Sequence, residues 1–296
     1  MSFDSDPTKL HVACFGAACW DVIARPRAGG RGADVPGSVE TRPGGVALNV
    51  ALALAAAGLR VSLIGAVGDD DEGRLLAARL RAAGVGVDGL MTYEGAATGR
   101  YVAMERVDGD LLAAVHDASA LDAMAPEHLP LAGLPPATAW FVDANLPAPV
   151  LKALAAAPDR PPLMADAVSV AKAAKLRPHL GQIATLYCNR SEAEAICATG
   201  LNAARAAAEA LVRRGAARAV VTDGPQAAAD AGPHAAVTLR PAAGALRSAT
   251  GAGDALIAAH LAAHLGGARP EEALAAGLAA AGAHAGVEPV AVRARA

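Results

Sequence analysis

Aromatic side chains are scarce in this chain: Phe and Tyr occur three times each and Trp twice, 3% of 296 residues. The hydrophobic fraction is nevertheless 54%, so alanine supplies much of the apolar surface. Alanine is the best helix former, and its abundance blurs the periodicity that marks a helix face. Charge is also thin. Charged residues make up 19% and the net charge is −3, which excludes a general nucleic-acid binder. The four cysteines (Cys14, Cys19, Cys188 and Cys197) form no C-x-x-C pair and keep no His cluster. Buried reduced thiols are therefore expected rather than a zinc site or a disulfide framework. Long hydrophobic runs are missing as well. Stretches such as Val46–Leu59 are too short and too rich in Ala and Gly to span a bilayer. Met1–Thr8 is acidic and polar, unlike the basic-then-apolar start of a signal peptide. The expectation is a soluble, cytoplasmic protein with neither a membrane nor a nucleic acid as partner. A chain of this length fits one large α/β domain or two small ones, with enough buried surface to need no disulfide or metal.

What is present is an alternation of strands and helices. Strands are predicted over Leu10–Phe15, Arg60–Val67, Ala139–Val142, Leu163–Asp166, Ala184–Tyr187 and Ala219–Thr222, with a short one at Ala235–Leu239. Helices are predicted over Val46–Ala57, from the acidic turn Gly68–Gly73 through Ala83, and over Pro147–Ala157, Ser191–Ala198 and Ala203–Arg214. Two long ones follow, Gly253–Leu265 and Pro270–Ala285. In the helix ending at Ala83, Leu76, Leu80 and Ala83 share one face and Arg74 and Arg81 the other. Such alternation implies a mostly parallel sheet covered on both faces. Arg25–Gly45, rich in Gly, Pro and Arg, reads as poor core material. Thr98–His116 differs in kind: alternating runs Arg100–Arg106 and Leu111–His116 flank Asp108-Gly109, a strong hairpin signal. This hairpin is expected to form a separate small sheet, or lid, on one main domain over 1–296.

Four short motifs carry the chemistry. In Ser248-Ala249-Thr250-Gly251-Ala252-Gly253-Asp254, two glycines precede a helix, where free N–H groups receive an anion. Asp254 falls in the first turn. A carboxylate beside an oxyanion cradle suits phosphoryl transfer to an alcohol: it takes the hydroxyl proton while N–H groups stabilise the moving phosphoryl. Read alone, the same residues also cap an ordinary helix. Pro43-Gly44-Gly45 opens a helix whose one polar side chain before Ala57 is Asn49, either satisfied locally or aimed at a ligand. Asn189-Arg190-Ser191-Glu192 follows a strand. It either caps the next helix or orders water around Mg²⁺ and nucleotide phosphates at the carboxyl end of the sheet. Thr222-Asp223-Gly224 is a turn that would line a nucleotide, and Asp21, just past the first strand, is placed to grip a vicinal diol or to face solvent.

Taken in this order, the motifs resemble the PfkB family of carbohydrate and nucleoside kinases, the ribokinase-like fold. Gly44-Gly45 with Val61–Gly73 (VSLIGAVGDDDEG) is similar to the family's first signature, and Ser248–Leu256 (SATGAGDAL) to its second. Asn189–Glu192 matches the N-x-x-E motif. The resemblance runs from about His11 to the last helix and implies a central, mainly parallel sheet flanked by helices, with a small β lid from segments near 20–43 and 98–117. It implies that Asp254 is the base, with Gly251, Ala252 and Gly253 forming the anion hole. Asp21, Gly45 and Asn49 would bind the acceptor hydroxyls. Asn189 and Glu192 would serve Mg²⁺ (Glu192 through water) and phosphate, and Thr222 and Gly224 would lie by ATP. Ser248 stands where the family usually has an acid near a monovalent cation, which leaves K⁺ open. Ala227 stands near a usual glycine of the nucleotide loop. Three stretches, Asp143-Ala144-Asn145, Ala165–Lys172 and Thr185–Glu194, are most similar to the pseudouridine kinase branch, as is the lid run Leu111–Asp117. That likeness implies a 5′-hydroxyl acceptor, with Asp166, Lys172 and the lid near the base, and a homodimer paired through its lids. A ribokinase- or fructokinase-like sugar kinase is the runner-up, and a non-catalytic nucleoside- or sugar-binding regulator is the reading of another class.

Overall fold

The computed structural model describes residues 10–27, 34–106, 111–242 and 251–286. Its described residues gather into two compact units that divide between Leu163 and Met164.

The first unit opens with β1 (His11–Phe15), β2 (Cys19–Pro26) and β3 (Gly37–Gly44), then α1 (Val46–Ala56), β4 (Arg60–Gly68), α2 (Asp71–Ala82) and β5 (Val85–Tyr93). β6 (Arg100–Glu105), β7 (Leu111–Asp117), the short α3 (Ser119–Asp122), β8 (Ala139–Asp143) and α4 (Ala148–Ala156) complete it. Strands β8-β1-β4-β5 lie side by side and parallel. Every residue of β1 and of β8 is buried, as expected for strands covered on both faces. That is why they read in the sequence as unbroken apolar runs. A second sheet, in the order β3-β2-β6-β7, is the separate small sheet expected from the hairpin. β6 and β7 pair antiparallel, Arg100 with Asp117 and Val102 with Val115. The Asp108-Gly109 turn lies outside the described residues.

Arg25–Gly45, expected to be poor core material, holds the end of β2 and all of β3, a strand that is mostly exposed and so left no apolar signature. β5 was not predicted although Val85, Val87 and Gly89 alternate inward. One expectation needs correction. Ala83 does not share the buried face of α2 with Leu76 and Leu80; it is the exposed C-cap. The acidic turn before α2 is a cap: Asp70 accepts the Gly73 N–H at 2.7 Å and the Thr98 N–H at 2.8 Å. It thereby ties α2 to the segment entering β6.

The second unit runs β9 (Leu163–Asp166), α5 (Val170–Ala173), β10 (Thr185–Asn189), α6 (Arg190–Cys197) and α7 (Ala204–Arg213). β11 (Ala219–Thr222), β12 (Ala228–Ala231), β13 (Ala236–Leu239), α8 (Ala252–Leu265) and α9 (Pro270–His284) follow. β9, β10 and β11 are parallel neighbours, and β12 and β13 add antiparallel strands. Helix-flanked and mostly parallel, with a small second sheet, the architecture is the one the alternation predicts. All four cysteines are buried and outside any disulfide. Among the described residues no helix is long and apolar enough to cross a membrane.

Beneath α8 lies a buried polar network. Arg218 donates to both oxygens of Asp230 at 2.7 Å, the His260 Nε2 lies 3.3 Å from Asp230 Oδ2, and Tyr187 Oη lies 3.0 Å from His260 Nδ1. His264 stacks on His260. Burial alone would raise the Asp230 carboxyl, but the hydrogen bonds and charge of His260 and Arg218 hold it below its ordinary range. Burial, with Arg218 and His260 close by, pushes His264 down to about 4. The unfolded imidazole takes up its proton below its ordinary 6.5 while the folded one resists. Stability should therefore fall as pH drops from 6.5 towards 4. Asp230 acts further down: its contribution is full above the unfolded carboxyl value and is lost as pH falls through the depressed folded one. Thermal melts across pH should show the first decline, and His264→Gln should flatten it. Equal slopes in both proteins would refute the assignment.

Candidate active site

In the first unit the predicted acceptor residues cluster where β2, β3 and α1 begin or end. Asp21, third in β2, faces Arg42 of β3 and Tyr101 of β6 in register. It is buried, its Oδ2 3.8 Å from the Arg42 Nε. Burial pushes its carboxyl up against the opposing pull of Arg42. The space for this carboxylate is made by Gly44, where a Cβ would fall 2.0 Å from Asp21 Oδ1. Gly45 is the N-cap of α1 with φ 98, a conformation that favours glycine, and a Cβ there would meet the Ala17 carbonyl oxygen at 2.4 Å. Asn49, half-buried, follows one turn later, its N–H donating to the Gly45 carbonyl at 2.9 Å. Asp21 with Gly44, and Gly45 with Asn49, are thus two joined pairs.

Gly45 offers α1 no side-chain cap. The cap comes from Asp143, at the end of β8. Its Oδ2 accepts the N–H groups of Ala17 and Ala47, both at 2.9 Å, and its Oδ1 accepts that of Asn145 at 2.9 Å. The side chain is fully buried. Burial raises its carboxyl above the usual range, and the backbone N–H groups pull the other way. The likeness of Asp143-Ala144-Asn145 to the pseudouridine kinase branch implies no role for Asp143. The available signal was a lone carboxylate closing an otherwise apolar strand.

In the second unit, Asp166, Asn189 and Thr222 end three neighbouring parallel strands. Asp166 pairs with Tyr187, and Asn189 with Thr222. These are the carboxyl ends, the edge at which open α/β sheets bind ligands. Asp166 is buried and accepts the Val168 N–H at 3.0 Å; Lys172 is half-buried in α5. Asn189 and Glu192 form a complete capping box. The Asn189 side chain accepts the Glu192 N–H at 2.9 Å, while Glu192 accepts the Asn189 N–H at 2.9 Å and its Nδ2 at 2.7 Å. The capping alternative is therefore real, and it fixes the same two residues at the strand end. Burial raises the Glu192 carboxyl, with the Asn189 hydrogen bonds opposing. Arg190 was missed. It donates to Asp223 at 3.0 Å, to Glu194 at 2.7 Å and to the Leu201 carbonyl at 3.0 Å, tying the turn with Gly224 (φ 56) to α6.

Gly251 is the N-cap of α8 with φ 88. Ala252 and Gly253 therefore lie in the first turn, whose N–H groups have no acceptor within the helix ladder. Asp254, half-buried, is the acidic residue of that turn. A Cβ at Gly251 would come 2.6 Å from His284 Nε2 at the end of α9, a packing partner the sequence gave no hint of. Ser248 and Thr250 lie outside the described residues, as does any answer on the cation loop. A glycine-opened helix start with a carboxylate in its first turn can hold an anion and take a proton beside it.

The pfkB family carbohydrate kinase model matches residues 9–289. Among curated proteins, the chain is 32% identical to a pseudouridine kinase of Escherichia coli (strain K12) over 197 residues, 66% of this chain and 63% of that one. The match thus spans less than two thirds of that relative. A carbohydrate kinase from Agrobacterium tumefaciens superposes with a TM-score of 0.79 at 31% identity, over 92% of this chain and 90% of that one. An Arabidopsis thaliana ribokinase, solved with ribose and ATP, superposes with a TM-score of 0.76 at 22% identity, over 94% and 93%, and shares the fold. With nearly its whole length matched, this chain belongs to the pfkB family of carbohydrate kinases.

Proposed function

We propose that the chain transfers the γ-phosphoryl group of ATP to the 5′-hydroxyl of pseudouridine, giving pseudouridine 5′-phosphate and ADP. The observation that carries the choice of acceptor is the 32% identity with a pseudouridine kinase. ATP as donor is supported by the ribokinase solved with ribose and ATP. A sugar kinase acting on ribose or fructose is the second reading, favoured by the carbohydrate kinase at 31% identity. In this proposal residues 1–296 form one kinase domain whose lid comprises segments near 20–43 and 98–117. Four buried thiols outside any disulfide support work in the reducing cytoplasm.

Each residue then has a task. Asp254 accepts the proton of the acceptor hydroxyl, and the N–H groups of Gly251, Ala252 and Gly253 stabilise charge on the phosphoryl oxygens. Asp21, Gly45 and Asn49 hold the ribose hydroxyls; Asp166 and Lys172 select the base. Asn189, Glu192, Thr222 and Gly224 serve the nucleotide. Among the described residues no group of three or more His, Cys, Asp or Glu is arranged to hold a metal, and both Glu192 oxygens already accept from Asn189. That chemistry fits Glu192 reaching Mg²⁺ through water, the ion supplying charge neutralisation on the phosphates. K⁺ would be a further activator.

The outward face of the second sheet supports a homodimer. Val22, Val102 and Val115 sit in one cross-strand row, and Val39 and Val115 are each 70% exposed. Exposed apolar patches of this kind mark association surfaces. Light scattering at micromolar concentration should give a dimer, and Val102→Arg a monomer; a monomeric wild type would remove the proposal.

Two kinetic measurements test the reaction. Asp254→Asn keeps the shape but cannot take the proton, so kcat should fall about 10²-fold or more with substrate binding little changed. Near-wild-type kcat would remove Asp254 from the mechanism. Side-by-side kcat/KM values for pseudouridine, uridine, ribose and fructose should favour pseudouridine, because a site built for its extra ring N–H rejects uridine strongly. A best rate with ribose or fructose would select the sugar-kinase reading, and no ADP release with any acceptor would select the binding regulator.

A further inference from the structure

Asp143 is a carboxylate in the core of the first unit that accepts three backbone N–H groups, together with the Asn145 side chain. Burying such a charge is costly unless it is fully hydrogen-bonded, so something other than core packing has to account for it. Its partners are informative. Ala17 stands four residues before Asp21, on the turn between β1 and β2; Ala47 stands two residues after Gly45 and two before Asn49. One oxygen, Oδ2, takes the N–H of both. The same two segments are stitched again by Leu48, whose N–H donates to the Ala17 carbonyl at 3.2 Å. Gly16 yields room for the clamp, since a Cβ there would fall 2.3 Å from Asp143 Oδ2. Ala17 and Ala47 have no side chain able to bond the other segment, so Asp143 Oδ2 and the Leu48–Ala17 backbone bond together fix their spacing.

We infer that Asp143 is a positioning residue of the acceptor site, setting the distance between the turn that leads to Asp21 and the helix start that carries Gly45 and Asn49. It touches no substrate. Its carboxylate also faces the positive end of α1, which Gly45 leaves without a side-chain cap. An amide in its place offers one acceptor oxygen instead of two, and turns an N–H towards a backbone N–H on one side or the other. With the amide oxygen on Ala17 and Ala47 the anchor keeps its place but loses its charge, and with the NH2 there it repels both N–H groups, so either way the anchor weakens while the apolar strand around it stays packed.

This inference rests on Asp21 and Asn49 being acceptor ligands, so the test carries Asp21→Ala as a control. Asp143→Asn should raise the KM for the acceptor about tenfold or more, the scale set by one charge-assisted hydrogen bond, and leave the KM for ATP within about twofold. Gly16→Ala, which keeps the carboxylate but pushes on it, should shift the acceptor KM in the same direction. A merely structural role would instead lower the melting temperature and leave both KM values in proportion. If Asp21→Ala raises the acceptor KM and Asp143→Asn does not, or raises both KM values alike, the positioning role is overturned. If Asp21→Ala itself leaves the acceptor KM unchanged, the acceptor-site reading fails first. Failure of both Asp143→Asn and Gly16→Ala to fold would assign the clamp to the core and overturn the inference too.

Discussion

An ionised side chain inside a protein has to be surrounded by fixed donors, and this chain meets that constraint in two different ways. Asp143 is held mainly by backbone N–H groups, three of them, from the β1–β2 turn, the start of α1 and its own loop, with the Asn145 side chain beside them. Asp230 is held by side chains, Arg218 and His260, both fixed by their own elements. The backbone solution constrains main-chain geometry to within a hydrogen-bond length. The side-chain solution constrains packing of a helix on a strand. Much of the local order follows from these carboxylates: the start of α1 and the turn before β2 in one unit, and the seat of α8 on β10 and β12 in the other.

The legibility of the fold follows burial. β1, β4 and β8 are covered on both faces and wrote themselves as apolar runs. β3 is mostly exposed, so its residues, Gly-Ser-Val-Glu-Thr-Arg-Pro-Gly, obey no inward period and look like loop. β12 consists of Ala228-Ala229-Asp230-Ala231, residues that disfavour strands; only its pairing with β11 and β13 makes it one. Composition hides helix faces for a related reason. In α8 and α9 alanine lies both inside and outside, so the side chains that distinguish the faces are few, and His260, fully buried, is one of them.

Site residues were legible where local backbone chemistry marks them. Gly44-Gly45 and Gly251 occupy positions where a side chain collides or φ is positive, and such needs appear in sequence as glycine. Asn189 and Glu192, three apart, wrote a capping box whether or not they also meet a ligand. Partnerships across long separations leave no comparable trace. Asp143 with Ala17 and Ala47, and Arg190 with Asp223, join segments whose spacing in sequence says nothing of their nearness.

Polar residues in and beside the strands nevertheless divide by position. Asp143, Asp166, Asn189 and Thr222 each close a strand of a parallel set. At that edge the backbone leaves the ladder, and a polar group there can face either loop N–H groups or a ligand. Asp230 sits within an antiparallel strand, and His260 in the third turn of α8, and the two are buried against each other. In a chain so poor in aromatic and charged residues, a polar side chain at an otherwise apolar strand end is the rarest signal available. Asp143 shows that a polar group at such a strand end can serve as an internal anchor, holding a turn and a helix start at a fixed spacing.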